Sequence, residues 1–254
     1  MILDQFRLDG RVALVTGAGR GLGQGYALAL AEAGADVALL DRTPATATVE
    51  RVRALGRRAV SITCDLSAAT PADLTGVVEA VVAGLGRLDV LVNNAGIIRR
   101  APAVDFPQAD WDDVLAINLD AVFHLSQAAG RVMIAQGGGK IINVASMLSF
   151  QGGMFVPSYT AAKHAVAGLT KALANEWAGA GVNVNAIAPG YMATDNTAPL
   201  RADTAREQSI SERIPAGRWG TPDDLMGTVV FLASAASAYV DGAIIPVDGG
   251  WLTR

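Results

Sequence analysis

Short, β-branched apolar runs recur along this 254-residue chain, with enough sequence between most of them for a helix. That rhythm is the strongest constraint on the fold. The runs are RVALVT at 11–16, DVALL at 36–40, AVSIT at 59–63, LDVLV at 88–92, KIINVA at 140–145, VNVNAI at 182–187 and AIIPV at 243–247. Strands that read as nearly continuous apolar runs are those covered on both sheet faces, and alternation with helices makes neighbouring strands parallel. The expectation is an α/β chain, a doubly wound parallel seven-stranded sheet in a single domain spanning 1–254. The segment that follows Pro157 reads as a long helix. The stretch at about 191–215 breaks the rhythm, being polar, containing Pro199 and lacking a core-like strand, and it reads as a lid on the substrate side.

Between the first strand and its helix lies TGAGRGLG, with Gly17, Gly21 and Gly23 in the spacing GxxxGxG. Glycines there permit backbone angles closed to other residues and let phosphate oxygens approach the chain. The helix that follows offers free N–H groups and its positive dipole end. Asp41 closes the second strand 18 residues beyond Gly23, where a carboxylate can accept hydrogen bonds from a ribose diol and repels a 2′-phosphate. The sheet is therefore expected to be Rossmann-like, with NAD preferred over NADP. Arg20 and Arg42 flank the same position and could instead hold that phosphate.

YTAAK sets Tyr159 and Lys163 at i and i+4 in the segment after Pro157, so both project from one helix face. The pair follows the strand KIINVA and Ser146, on the carboxyl side of the sheet where open α/β folds bind ligands. A free phenol titrates near 10, so a tyrosine acting as base at neutral pH needs its anion stabilised by roughly 2 to 3 pH units. An adjacent ammonium and a cationic nicotinamide can supply this. Tyr159 is then the candidate acid and base, Ser146 the group orienting a carbonyl oxygen, and Lys163 both a cation beside the phenol and a contact to the nicotinamide ribose. No metal is required. His124 and His164 lack metal-ligand spacing, and Cys64, the one cysteine, excludes a disulfide within the chain and a multi-thiolate site. A net charge of -4 argues against a nucleic-acid surface. Neither a secretory leader nor a membrane span is evident, which leads to the expectation of a cytoplasmic chain without a membrane partner.

With these residues assembled, the whole length resembles the short-chain dehydrogenase/reductase family. The likeness is carried by TGAGRGLG, CDL at 64–66, NNAG at 93–96, Asn118, the set Ser146, Tyr159 and Lys163, and PGYMAT at 189–194. The resemblance implies an alcohol/ketone oxidoreductase whose catalytic set is Asn118, Ser146, Tyr159 and Lys163, with Asn118 completing a water-linked proton path to Lys163. Tyr159, Lys163 and Asp41 would also meet the coenzyme, along with Gly17, Arg20, Gly21, Leu22, Gly23, Asp65 (at the adenine), Leu66, Asn94, Ala95, Gly96, Ile187, Pro189, Gly190, Met192 and Thr194.

A narrower likeness lies in MILDQF, NNAGIIRR, KIINVASMLSFQGG, the stretch from Ala174 to Asp203, RIPAGRWG and VDGGWLTR. It points to a branch of that family acting on deoxy keto sugar acids in bacterial breakdown of pectin-type uronates. The implied reaction converts 2-keto-3-deoxygluconate to its 2,5-diketo form, or 2-deoxygluconate to its 3-keto form, in a homotetramer whose long helices near 110–135 and 157–180 pack across subunits. A keto sugar acid needs a cation for its carboxylate, which Arg99 or Arg100 can grip through two parallel hydrogen bonds. Ser146, Tyr159, Gln151 and Tyr191 are the other expected substrate contacts, and Arg218 is a further candidate. Alternatives are a reductase of 3-oxoacyl thioesters, polyols or ketosteroids, or a noncatalytic dinucleotide sensor.

Overall fold

The computed structural model describes residues 1–254, apart from the side chain of Asn196. Its strands are β1 (Val12–Thr16), β2 (Asp36–Asp41), β3 (Ala59–Thr63), β4 (Val90–Asn93), β5 (Gly139–Val144), β6 (Val182–Pro189) and β7 (Ile244–Val247). They form one sheet in the order β3-β2-β1-β4-β5-β6-β7, and every neighbouring pair is parallel. All seven expected strands are present, with ends shifted by a few residues at most.

Side-chain alternation sorts the core into two layers. In β1, Ala13 and Val15 join the layer containing Tyr26, Leu30, Val52 and Val229. Val12 and Leu14 point the opposite way, towards Leu74, Val81, Leu125 and Leu173. The first layer is capped by α1 (Gly21–Glu32), α2 (Thr46–Ala54) and a C-terminal helix at Asp223–Ala233; the second is capped by α3 (Pro71–Leu85) and by long helices at 121–136 and 157–177. Local signals start and stop these helices. Thr70 caps α3 by accepting from the Asp73 amide, Pro71 fills its first turn, and Gly86 ends it at φ 95°.

The long helical passage after β4 is not one helix. It runs as α4 (Gln108–Leu115), a π-turn at Ala116–Asp120, and α5 (Ala121–Gln136). Asn118 lies inside the π-turn, and its side-chain amide takes the carbonyl of Val114, four residues back, at 3.0 Å. A side chain that enters the i to i−4 ladder forces such a bulge. α6 (Pro157–Trp177) is uninterrupted. The segment expected as a lid contains α7 (Ala198–Ala202) and α8 (Thr204–Arg213) before α9 (Asp223–Ala233). Ile210 and Ile214 anchor it against Met147 and Trp251. Among the described residues, no helix is long and apolar enough to cross a membrane.

Candidate active site

The strand order reverses direction between β1 and β4, and in an open parallel sheet the chain then leaves these two strands towards opposite faces, opening a crevice at their carboxyl ends. Here that crevice is a cavity of about 440 Å³. Its floor is clipped together by side chains. The Thr16 hydroxyl accepts the Asn94 and Ala95 amides at 3.0 and 2.9 Å, and the Asn94 side-chain amide donates back to the Thr16 carbonyl at 2.8 Å.

The glycine loop lies against this clip. Gly17 has φ 64° and Gly21 φ 57°, the left-handed region that favours glycine. At Gly23, a Cβ would overlap both the Gly17 carbonyl and the Asn94 side-chain amide. α1 begins at Gly21 with Arg20 at its N-cap and no side-chain cap bond, leaving first-turn N–H groups available to an anion. Asp41 is pinned at the end of β2 by the amides of Gly19 at 2.8 Å and Arg42 at 2.7 Å. Asp65 accepts from the amide and hydroxyl of Ser67, which hold its carboxyl below the usual range with help from Arg42. A backbone cradle without Cβ atoms, a helix start and two oriented carboxylates on one wall fit a dinucleotide.

The second wall carries Val144, Ala145, Ser146 and Tyr159. Ser146 ends in a short turn where its oxygen accepts the Leu148 amide at 3.1 Å, leaving its own hydrogen free to donate. Contrary to the expectation from the i, i+4 spacing, Lys163 does not hold the phenol low: burial pushes Tyr159 up, against smaller downward pulls from the Ser146 hydroxyl and the Arg100 guanidinium. Lys163 is buried beneath it, its Nζ 5.5 Å from the Tyr159 ring centre and donating to the Val144 carbonyl at 2.7 Å.

Burial pulls the Lys163 ammonium down to about 8 from an ordinary 10.5. Between those values the unfolded chain binds more protons than the folded one, so folding stability rises with pH through that window and the burial cost is fully present below it. Chemical denaturation at pH values below and above 8 should show this rise, and Lys163→Met should flatten it. An equal rise in the variant would assign the effect elsewhere.

Most of the residues anticipated from sequence meet in this cavity: Gly17, Arg20, Gly21, Leu22, Gly23, Asp41, Asp65, Leu66, Asn94, Ala95, Gly96, Arg99, Arg100, Ser146, Tyr159, Pro189, Gly190, Met192 and Thr194 all line it. Asn118, Lys163, Gln151, Tyr191 and Ile187 are not part of its wall. Asn118 is fully buried and clamps Ile97, donating to its carbonyl at 2.8 Å and accepting its amide at 3.1 Å. Tyr191 packs edge-on against Trp219 and Trp251. Arg218 is tied bidentately to Asp224 at 2.8 and 2.6 Å, away from the cavity. The half-buried Cys64 lines the wall after β3, with burial raising its thiol.

Sequence reasoning did not single out Asp195 and Thr197, which also line the cavity. Nor did it find the buried chain in which the Asn93 amide donates to Ser126 and Asn143, and Asn143 to Thr170, each at 2.9 Å. Polar residues inside apolar runs were the available signal. This chain crosslinks β4 and β5 to α5 and α6 and gives each of the two buried amide nitrogens an acceptor.

Residues 17–252 match the family described as enoyl-(acyl carrier protein) reductase. The chain is 58% identical to the 2-dehydro-3-deoxy-D-gluconate 5-dehydrogenase of Escherichia coli, covering 100% of both chains. It is 55% identical to the enzyme of that name from Bacillus subtilis, over 99% of this chain and 98% of the other. A crystal structure from Agrobacterium tumefaciens, provisionally described as a 2-deoxy-D-gluconate 3-dehydrogenase with bound NADP, superposes with a TM-score of 0.92 at 54% identity, covering 98% and 99% of the two chains. The chain is an oxidoreductase and belongs to the short-chain dehydrogenase/reductase family.

Proposed function

We propose that this chain is an NAD-dependent dehydrogenase that interconverts 2-keto-3-deoxygluconate and its 2,5-diketo form, or 2-deoxygluconate and its 3-keto form. The observation that carries the reading is the meeting of a phenol, a hydroxyl and an uncommitted guanidinium in one cavity beside a dinucleotide cradle: Tyr159, Ser146 and Arg100. When bound, the dinucleotide supplies two-electron redox chemistry. Tyr159 moves the proton, taking it from a substrate hydroxyl in oxidation and returning it to the developing alkoxide in reduction. Ser146 donates to the same oxygen and orients it. Lys163 stabilises the tyrosinate from below with its ammonium. The segment at 191–215 acts as the lid, contributing Met192, Thr194, Asp195 and Thr197 to the wall.

Arg100, not Arg99, is the anchor for the sugar-acid carboxylate. Arg99 lies 3.3 Å from Asp110 and 3.4 Å from Asp113, so its charge is already partly neutralised. Arg100 has no ion pair among the described residues, and its field reaches Tyr159. A charge-assisted contact is worth about 1.5 to 3 kcal/mol, so Arg100→Ala should lower kcat/KM for the keto acid by about 10- to 150-fold. Arg99→Ala should cost less than about threefold on the same scale. The reverse ranking would move the carboxylate to Arg99. The whole reading is tested by following NADH absorbance with 2-keto-3-deoxygluconate and 2-deoxygluconate beside 3-oxoacyl thioesters and ketosteroids, then repeating with NADPH. Turnover confined to a thioester or a steroid would overturn it.

A further inference from the structure

Arg20 and Asp195 are 175 positions apart in the chain, yet they form an ion pair of 2.7 Å at the cavity rim, with both side chains largely exposed. The bond ties the glycine loop to the start of the segment at 191–215. Asp195 is presented by a tight turn in which the Thr197 hydroxyl accepts the Thr194 amide at 3.1 Å and donates to the Met192 carbonyl at 2.5 Å. On the other side, Arg20 follows Gly19, whose amide holds the Asp41 carboxylate assigned to the coenzyme ribose. Arg20 is thus the chain neighbour of the residue that touches Asp41, on the loop that a 2′-phosphate beside that carboxylate would face. The second cation there, Arg42, donates its amide to Asp41 and acts on the carboxylate of Asp65. Two guanidiniums therefore share this wall with three carboxylates, Asp41, Asp65 and Asp195. A 2′-phosphate would bring a further charge of about −1.5 to −2.

We propose that Asp195 is a coenzyme-specificity residue that acts through Arg20: by engaging the guanidinium it withholds the one cation of the glycine loop from a 2′-phosphate. The inference rests on the assignment of this cavity to a nicotinamide dinucleotide. NAD needs no cation at that position and binds with the clasp intact, whereas NADP must draw Arg20 away from Asp195. Exposed ion pairs are weak and screened, so the discrimination contributed by the clasp is modest.

The test is a fluorescence titration of NADH and NADPH into the full chain, giving Kd for each with wild type, Asp195→Asn, Asp195→Ser, Arg20→Ala and the double variant Arg20→Ala/Asp195→Asn. Either Asp195 substitution should tighten NADPH relative to NADH by about 2- to 5-fold. In the Arg20→Ala background the Asp195→Asn shift should vanish. Equal changes for both coenzymes, or a shift that survives without Arg20, would overturn the proposal. The wild-type Kd ratio separately tests the NAD assignment: tighter NADPH binding there sinks that assignment, while the response to Asp195 substitution still reports on the clasp.

Discussion

Tyr159→Phe should reduce turnover by about 10²- to 10⁴-fold while leaving dinucleotide Kd within about twofold, because a positioned acid or base contributes on that scale and the ring itself is retained. The phenylalanine still fills the space above Lys163, whose ammonium lies 5.5 Å from the ring centre, so the ring packing is conserved and only the hydroxyl, with its exchangeable proton, is removed. The loss should appear in kcat and not in coenzyme binding, the pattern of a group used at the transition state. Stopped-flow turnover with the keto acid, paired with a coenzyme titration, reads both quantities. Near wild-type turnover in this variant would remove the tyrosine from the mechanism.

The second large effect is expected at Gly23. A methyl there overlaps the Gly17 carbonyl and the Asn94 side-chain amide, and neither can swing aside: one is backbone, the other is fixed by its bond to the Thr16 carbonyl. Gly23→Ala should therefore push the loop off its clip, weakening dinucleotide binding by more than about tenfold and costing about 1 to 3 kcal/mol of stability. Gly21→Ala provides the contrast. Its Cβ meets nothing within 4 Å, and its cost comes from φ 57°, a left-handed angle worth about 1 to 2 kcal/mol, with a smaller effect on the coenzyme. Thermal unfolding and coenzyme titration of both variants distinguish them; equal losses of affinity would rule out the steric account.

The inner strands β1, β2, β4, β5 and β6 were legible because they are largely buried on both faces, which turns a parallel strand into a nearly unbroken apolar word; the edge strands β3 and β7, partly exposed, were legible from their β-branched residues and spacing. The glycine loop, Asp41, Ser146, Tyr159 and Lys163 were legible because their chemistry depends on local spacing. What could not be read depended on partners distant in sequence. Arg99 and Arg100 are equivalent as letters, and only the placement of α4 puts Asp110 and Asp113 beside the first. Tyr191 was expected at the substrate, but Trp219 and Trp251 offer its ring an aromatic nest. At the interruption between α4 and α5, Asn118 turns its side-chain amide onto the Val114 carbonyl and also clamps the backbone of Ile97, contacts that spacing alone does not reveal.

The order of the sheet also divides labour along the gene. The glycine cradle and the carboxylate proposed for the ribose lie between Gly17 and Gly96, while Ser146, Tyr159 and the segment at 191–215 come from the later part. Substrate preference can thus drift or be re-engineered by exchanging downstream stretches without disturbing the upstream cradle. The later part still reaches the coenzyme end, through the stretch from Pro189 to Thr194 on the cavity wall and through Asp195: a transplanted C-terminal half would bring its own hold on Arg20, and a chimaera could change coenzyme preference with its cradle untouched.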